Sequence, residues 1–314
     1  MSRESQWIES LRALAAAPGA RGLLDDAAVL QISGATLVLT HDMLVEGVHY
    51  LPSDPPGDVA LKLVAVNLSD LAAKGARPVG VLLGYSLGEE AWDEAFVAGL
   101  GAALSAFGVD LLGGDTVAAP AGAPRTLGMT AIGEALGPVP SRGGARAGDR
   151  LWVSGTIGDS GAGLRVLKGE AEGSAVLIGR YRQPQPRLQA GEALAPLVSA
   201  MMDVSDGLLI DASRIAAASG VRLAVELEAV PLSRDFAASV GNGRAARLDA
   251  ATAGDDYELL FTAPPERDAS ILALADLLEL PLTRIGRVEA GSGLALSDAG
   301  EPLALPPRLG WEHR

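Results

Sequence analysis

Apolar residues switch along the chain between helical spacing and strand-like runs. The opening stretch MSRESQWIESLRALAAAPGARG carries charges at Arg3, Glu4, Glu9 and Arg12 and reads as an amphipathic helix ending at Pro18-Gly19. Two strand-like runs follow, AAVLQI and ATLVLTHDML, joined by a Ser33-Gly34 turn. Residues 58–74 set apolar side chains at helical spacing and stop at Gly75, a helix-end signal. PVGVLLGYSL reads as a buried strand, Glu89 to Phe107 as a helix, and VDLLGGDTV and RTLGMTAIGEAL as further strands. This alternation predicts an α/β-type domain over residues 1–138, ending at Pro138-Val139-Pro140.

A second unit, residues 139–314, opens with SRGGARAGDRLWVSGTIGDSGAGL, where a glycine-rich loop, a strand and a helix start follow in order. Helices are predicted over 160–168, 189–197 and 207–218, and strands at VRLAVELE, YELLFTA and LTRIGRVE. The tail from Pro302 is interrupted by proline and reads as a packed extended segment. No short-period repeat, heptad array or low-complexity tract is present.

The length of 314 residues agrees with two domains of the usual ~100–200 residues. With 48% hydrophobic and 20% charged residues, the chain can bury sizeable cores. The net charge of −14 offers no basic footprint for nucleic acid, and 4% aromatics offer no stacking platform for single strands. Zero cysteines exclude disulfides, thiolate metal sites and cysteine nucleophiles. No apolar run approaches a membrane span, and the N-terminal stretch does not read as a signal peptide. A soluble, cytoplasmic protein is expected.

The informative chemistry lies in six aspartates. Asp26 precedes a strand and Asp42 follows LVLTH; Asp70 interrupts an apolar helix. Asp115 sits in LLGGDT, and Asp203 and Asp206 in MMDVSDGLL. Taken singly, each reads as an N-cap or turn residue. Taken together, they border apolar runs whose ends cluster at one edge of an α/β layer. Converging carboxylates are tolerated only with a cation between them, and hard oxygen donors favour Mg²⁺ or Mn²⁺. Asp25 and Asp211 are assigned structural roles. The loop GTIGDSGAG stands between a strand and a helix, so its N–H groups either close a tight turn or hold an anion. Lys62, Lys74 and Lys168 stand in no Walker A context, and GxGxxG and HExxH are absent. The histidines are His41, His49 and His313; a lone His such as His49 is more often structural than a ligand contact. Trp311 reads either as a core plug or as a stacking residue.

In order, LLDDAAVL, THDMLVEGVHY, NLSDLAAKGARP, LLGGDT, SRGGARAGD, GTIGDSGAGL, MDVSDGL and AGDDYELLF closely resemble the thiamine-monophosphate kinase family, over nearly the whole chain. The wider superfamily includes aminoimidazole ribonucleotide synthetase and selenophosphate synthetase. The resemblance implies an α/β (α+β) protein of the aminoimidazole ribonucleotide synthetase-like fold. Its N-terminal α/β domain would dimerise through its sheet, its C-terminal domain would be α+β, and nucleotide would lie between them. It carries the Mg²⁺ ligands onto Asp26, Asp42, Asp70, Asp115, Asp203 and Asp206, with Thr40 and His41 contributing oxygen. His41 stands where the family has Thr or Ser, so a backbone carbonyl is the contact that survives. ATP contacts carry over to Gly114, Asp115, Arg142 and Ser205. Thiamine monophosphate contacts carry over to His49, Asp255 (Glu in the family) and Trp311. The implied reaction is direct in-line transfer from ATP to thiamine monophosphate, assisted by several Mg²⁺ ions, with no side-chain acid or base. Selenophosphate synthetase and the hydrogenase maturation relative normally use a cysteine that this chain lacks. A non-catalytic sensor on the same fold is disfavoured by the full carboxylate set.

Overall fold

The structure is a computed structural model that describes residues 3–120 and 122–312, so His313 lies outside the described residues. The first half contains α1 (Arg3–Arg12), β1 (Ala28–Ile32), β2 (Ala35–Val45), α2 (Pro56–Ala73), β3 (Arg77–Leu87), α3 (Glu90–Phe107), β4 (Asp110–Ala118) and β5 (Thr126–Ala135). Its strands form one sheet in the order β1-β2-β5-β3-β4, antiparallel except for the β3–β4 pair.

The second half begins with β6 (Arg150–Ser154), α4 (Asp159–Leu167), α5 (Ala175–Arg182), α6 (Leu188–Leu194), β7 (Ala200–Asp203) and α7 (Leu208–Ser219). It continues with β8 (Arg222–Glu226), α8 (Arg234–Ser239), α9 (Arg244–Thr252), β9 (Leu259–Ala263), α10 (Asp268–Leu277), β10 (Leu282–Glu289), β11 (Gly293–Asp298) and β12 (Glu301–Leu303). Its sheet runs β12-β11-β8-β10-β6-β9-β7, with only the β8–β11 pair parallel. Among the described residues, no helix is long and apolar enough to cross a membrane.

Helix α2 organises both halves. Pro56 pre-sets the first turn and Asp58 complements its dipole. Leu63, Leu68 and Leu71 are fully buried, each stabilising the fold by about 1.5–3 kcal/mol relative to exposure. The helix stops at Gly75, whose φ of 61° is left-handed; a Cβ there would also lie 2.5 Å from that of Ala195. Beyond the first-half core, Ala72 and Ala73 join a cluster with Trp152, Leu194, Met201 and Phe261. One helix therefore seats its middle on the first sheet and its C-terminal end on the second.

The elements read from the pattern are present, with shifted ends. Helix α1 stops at Arg12, short of Pro18, and α6 stops at Leu194, short of Leu197. The strand expected to be buried, β3, is buried only in part, because one of its faces is open to solvent. α5, α8, α9, α10, β7, β11 and β12 were not read from the pattern; β7 and α8 are only four and six residues long. The tail continues past β12 as an extended segment that docks at Gly310 and Trp311 on the turn of Asp206.

Candidate active site

An open cleft of about 830 Å³ lies where β2, α2, the β7–α7 turn and the segment before β1 meet. β2 alternates across its sheet, so Thr40 and Asp42 face α2 while His41 faces away. On α2, Asn67, Asp70 and Lys74 share one face at helical spacing. Carboxylate oxygens of Asp26, Asp70 and Asp203 all lie within 4.8 Å of one another. Asp42 and Asp206 line the same cleft.

Each of these groups is held. Thr40 Oγ1 donates to Asp70 Oδ2. Ser69 Oγ donates to Asp203 Oδ2 at 2.6 Å, and Asn67 Oδ1 accepts the Asp42 N–H at 3.0 Å. Arg142 Nε donates to Asp26 Oδ1 at 2.8 Å, and Arg214 Nη1 donates to Asp206 Oδ2 at 2.6 Å. Asp211 Oδ2 accepts the N–H groups of Ser205, Asp206 and Gly207 at 3.1–3.2 Å, which fixes the turn. Its structural assignment stands, as does that of Asp25, which pairs with Arg21 and Lys74.

The electrostatics divide the cluster. Burial pushes the Asp26 carboxyl up, but Arg142 and Lys74 outweigh it and bring the group down to about 2. Burial raises Asp203 to about 8, with the Asp26 charge adding to it, and raises Asp42 to about 6, with Asp206 and Asp26 adding. Asp70 is held well above the usual carboxylate range by burial and by Asp42, Asp203 and Asp26. Asp26 Oδ2 is buried without an aligned hydrogen bond. An all-oxygen donor set and carboxylates short of positive charge fit a hard divalent cation such as Mg²⁺.

At the other end of the cleft, Asp255 accepts from Lys62 Nζ at 2.8 Å, and the same ammonium donates to the His49 carbonyl at 3.0 Å. That lysine is buried and lies over the Tyr181 ring, 4.0 Å from its centre. His49 Nδ1 accepts the Val45 N–H at 2.9 Å. Trp311 is 52% exposed and lines the cleft, so the core-plug alternative is excluded. Ser205 lines the cleft beside Asp206.

Three expected residues, Thr40, Gly114 and Asp115, do not line this cleft. The hydroxyl of Thr40 is turned onto Asp70. Gly114 and Asp115 sit on the exposed strand β4, at the sheet edge. At Gly114, φ is 153° and a Cβ would lie 1.9 Å from the Leu83 carbonyl oxygen, so only glycine fits. The His41 ring pairs with Thr130 Oγ1 at 2.9 Å on the outer face, which leaves backbone for the cleft. In the loop GTIGDSGAG, the Gly158 N–H points at both oxygens of Asp256, at 2.9 and 3.0 Å. The group held at that turn is the protein's own Asp256 carboxyl, which burial pushes well above the usual carboxylate range.

Sequence reasoning missed the positioning groups Asn67, Ser69, Lys62 and Lys74. Their one signal is polarity inside an apolar helix, where each is buried.

Comparison with known proteins agrees with this architecture. Residues 24–135 match the AIR synthase related protein, N-terminal domain, and residues 146–299 the C-terminal domain of the same family. The thiamine-monophosphate kinase of Caulobacter vibrioides is 41% identical over 305 residues, covering 94% of this chain and 86% of its own. That of Salmonella typhimurium is 40% identical over 301 residues, covering 93% and 91%. The structure of AaThiL complexed with AMPPCP and TMP superimposes with a TM-score of 0.85 at 31% identity, over 100% of this chain and 99% of that one. The fold is thus that of the AIR synthase related proteins. Within them, the chain belongs to the thiamine-monophosphate kinase family.

Proposed function

We infer that the protein transfers the γ-phosphoryl group of ATP to the phosphate of thiamine monophosphate, forming thiamine diphosphate and ADP. The observation that carries this reading is one cleft holding, at one end, carboxylates short of positive charge and, at the other, the Asp255 carboxylate and the Trp311 indole. The relatives named above support it, as does the related structure holding AMPPCP, an ATP analogue, together with TMP.

The acceptor is a phosphate monoester already ionised at neutral pH, so no side-chain base is required. The residues must instead gather two anions and hold them in line. Asp26, Asp42, Asp70, Asp203 and Asp206 would hold Mg²⁺, with the His41 carbonyl as a further oxygen. When bound, the metal offsets charge between donor and acceptor phosphates. Thr40 and Ser69 keep Asp70 and Asp203 aimed at the cleft. Arg142, fixed by Asp26, presents a guanidinium to nucleotide phosphate, and Ser205 lies on the neighbouring turn. The cationic thiazolium suits Asp255 and the Trp311 face, with His49 close by.

A homodimer belongs to the same reading, as do a division into domains near residue 138 and a cytoplasmic location, where ATP is supplied. β4 is exposed along its length, and Met43, Leu82, Leu111, Leu112 and Val117 are 38–54% exposed. A second copy on this face would cover them. Gly114 and Asp115 take part in nucleotide binding only if a partner's cleft meets this edge.

The deciding assay measures ADP release from MgATP with thiamine monophosphate, with the aminoimidazole ribonucleotide precursor, and with neither. Release with the first alone is expected. Release with the second, or thiamine monophosphate binding without turnover, would overturn the kinase reading in favour of a synthetase or a sensor.

A further inference from the structure

Asp70 and Lys74, one turn apart on α2, both face the carboxylate cluster. The Lys74 side chain is fully buried. Its Nζ lies 2.5 Å from Asp25 Oδ1, 2.6 Å from Asp26 Oδ2 and 3.2 Å from the Met201 carbonyl oxygen. Asp25 and the Met201 carbonyl accept hydrogen bonds from the ammonium, and Asp26 forms a close ion pair with it. A buried ammonium is retained only when it is paired in this way.

The consequence is an uneven distribution of positive charge. Asp25 and Asp26 share Lys74, with Arg21 also on Asp25 and Arg142 also on Asp26. Among the described residues, Asp70 and Asp203 take side-chain hydrogen bonds only from the hydroxyls of Thr40 and Ser69. Asp26 belongs to the group of three whose oxygens approach within 4.8 Å, and Lys74 already sits on its Oδ2.

We propose that Lys74 is a resident counter-cation: it sits on the Asp26 end of the cluster, holds Asp25 and Asp26 in place without metal, and competes there with divalent ions, which weakens their hold on Asp26 and weights their binding toward the Asp70–Asp203 end. The inference rests on the metal-binding reading above. A cation fixed in the helix removes one oxygen from the ligand set and repels a second cation placed beside it.

The test uses the full chain, stripped of metal, with Mn²⁺ as the probe read by electron paramagnetic resonance and calorimetry. Lys74→Met removes the ammonium. Asp25→Asn/Lys74→Met removes a charge of each sign, so the net charge of the site is kept while Asp26 is freed. Both are expected to bind Mn²⁺ about tenfold tighter than wild type, or to bind one more ion. Lys74→Arg, which keeps the charge, should match wild type. Without metal, Lys74→Met should melt below wild type, and added Mg²⁺ should restore most of the loss. Wild-type binding with unchanged variants would overturn this proposal alone. No binding by any of the four proteins would overturn the metal reading with it. A loss of folding in both charge-removing variants that Mg²⁺ does not reverse also counts against the proposal, since a divalent ion should replace the missing ammonium.

Discussion

The two ends of the carboxylate cluster are built from the same side chain and buried to a similar degree, yet they titrate in opposite directions. Asp26 lies between Arg142 and Lys74 and is held down at about 2; Asp203 meets Ser69 and other carboxylates and is pushed up to about 8. Burial acts on both with the same sign. What differs is whether the fold has placed a cation within contact distance. One end is complete as folded, while the other needs positive charge from outside the chain.

The strongest way to break this contrast is to neutralise one carboxylate at each end. Asp70→Asn is expected to lower kcat by about 10²–10³-fold, because phosphate charge is then left uncompensated in the transition state. Its metal-free stability should hold or rise, since one member of a repelling set is gone. Asp26→Asn should cost about 1–3 kcal/mol of metal-free stability, because Arg142 loses its carboxylate and Lys74 keeps only Asp25 as an anionic partner. Turnover assays beside denaturant titrations in EDTA read both effects. Equal destabilisation by the two variants would remove the distinction between the ends.

A smaller effect sharpens the contrast through pH. The folded value of Asp203 lies above the unfolded value of about 3.8, so the folded state binds more protons in between. Stability from this group is therefore present below pH 4 and is lost as pH rises through about 8. Asp26 has the opposite sign: its contribution is present above pH 4 and is lost as pH falls toward 2. Metal-free protein should accordingly be less stable to denaturant at pH 8 than at pH 5.5. Saturating Mg²⁺ should shrink or reverse that difference, because bound carboxylates are deprotonated. A metal-free protein that gains stability over this range would contradict the assigned charges.

The smallest expected effect lies away from both carboxylate ends. Trp311→Ala should raise the KM for thiamine monophosphate roughly two- to thirtyfold while that for ATP stays near its wild-type value, the span expected for a cation on an indole face. Its melting temperature should hold, given an indole that is 52% exposed. Equal changes in both Michaelis constants would count against stacking.

Much of the site was legible from residue order. Asp26, Asp42, Asp70, Asp203 and Asp206 each border or interrupt an apolar run, and the folded chain brings all five to one cleft. Asp115 has the same local signature in LLGGDT but lies on an exposed edge strand. Nothing local separates it from the others, because strand order is a property of the whole sheet. At GTIGDSGAG, where a tight turn and a bound anion were both open, the group that meets the Gly158 N–H is Asp256, almost a hundred residues along the chain. Likewise, Lys74 is visible as a polar interruption of an apolar helix, but Asp25 and Met201 reach it only through folding.

By itself the sequence determined six of the helices, α1 to α4, α6 and α7, and the longer strands, since side-chain periodicity and turn residues act over a few neighbours. It also determined the chemical vocabulary: no thiolates, few lysines, and aspartates in apolar settings. Tertiary structure decided which aspartates meet, which of them receives a cation, and that Trp311 faces the cleft. Those outcomes depend on Coulomb interactions and desolvation between groups tens to hundreds of residues apart, whose distances exist only once α2 has joined the two sheets.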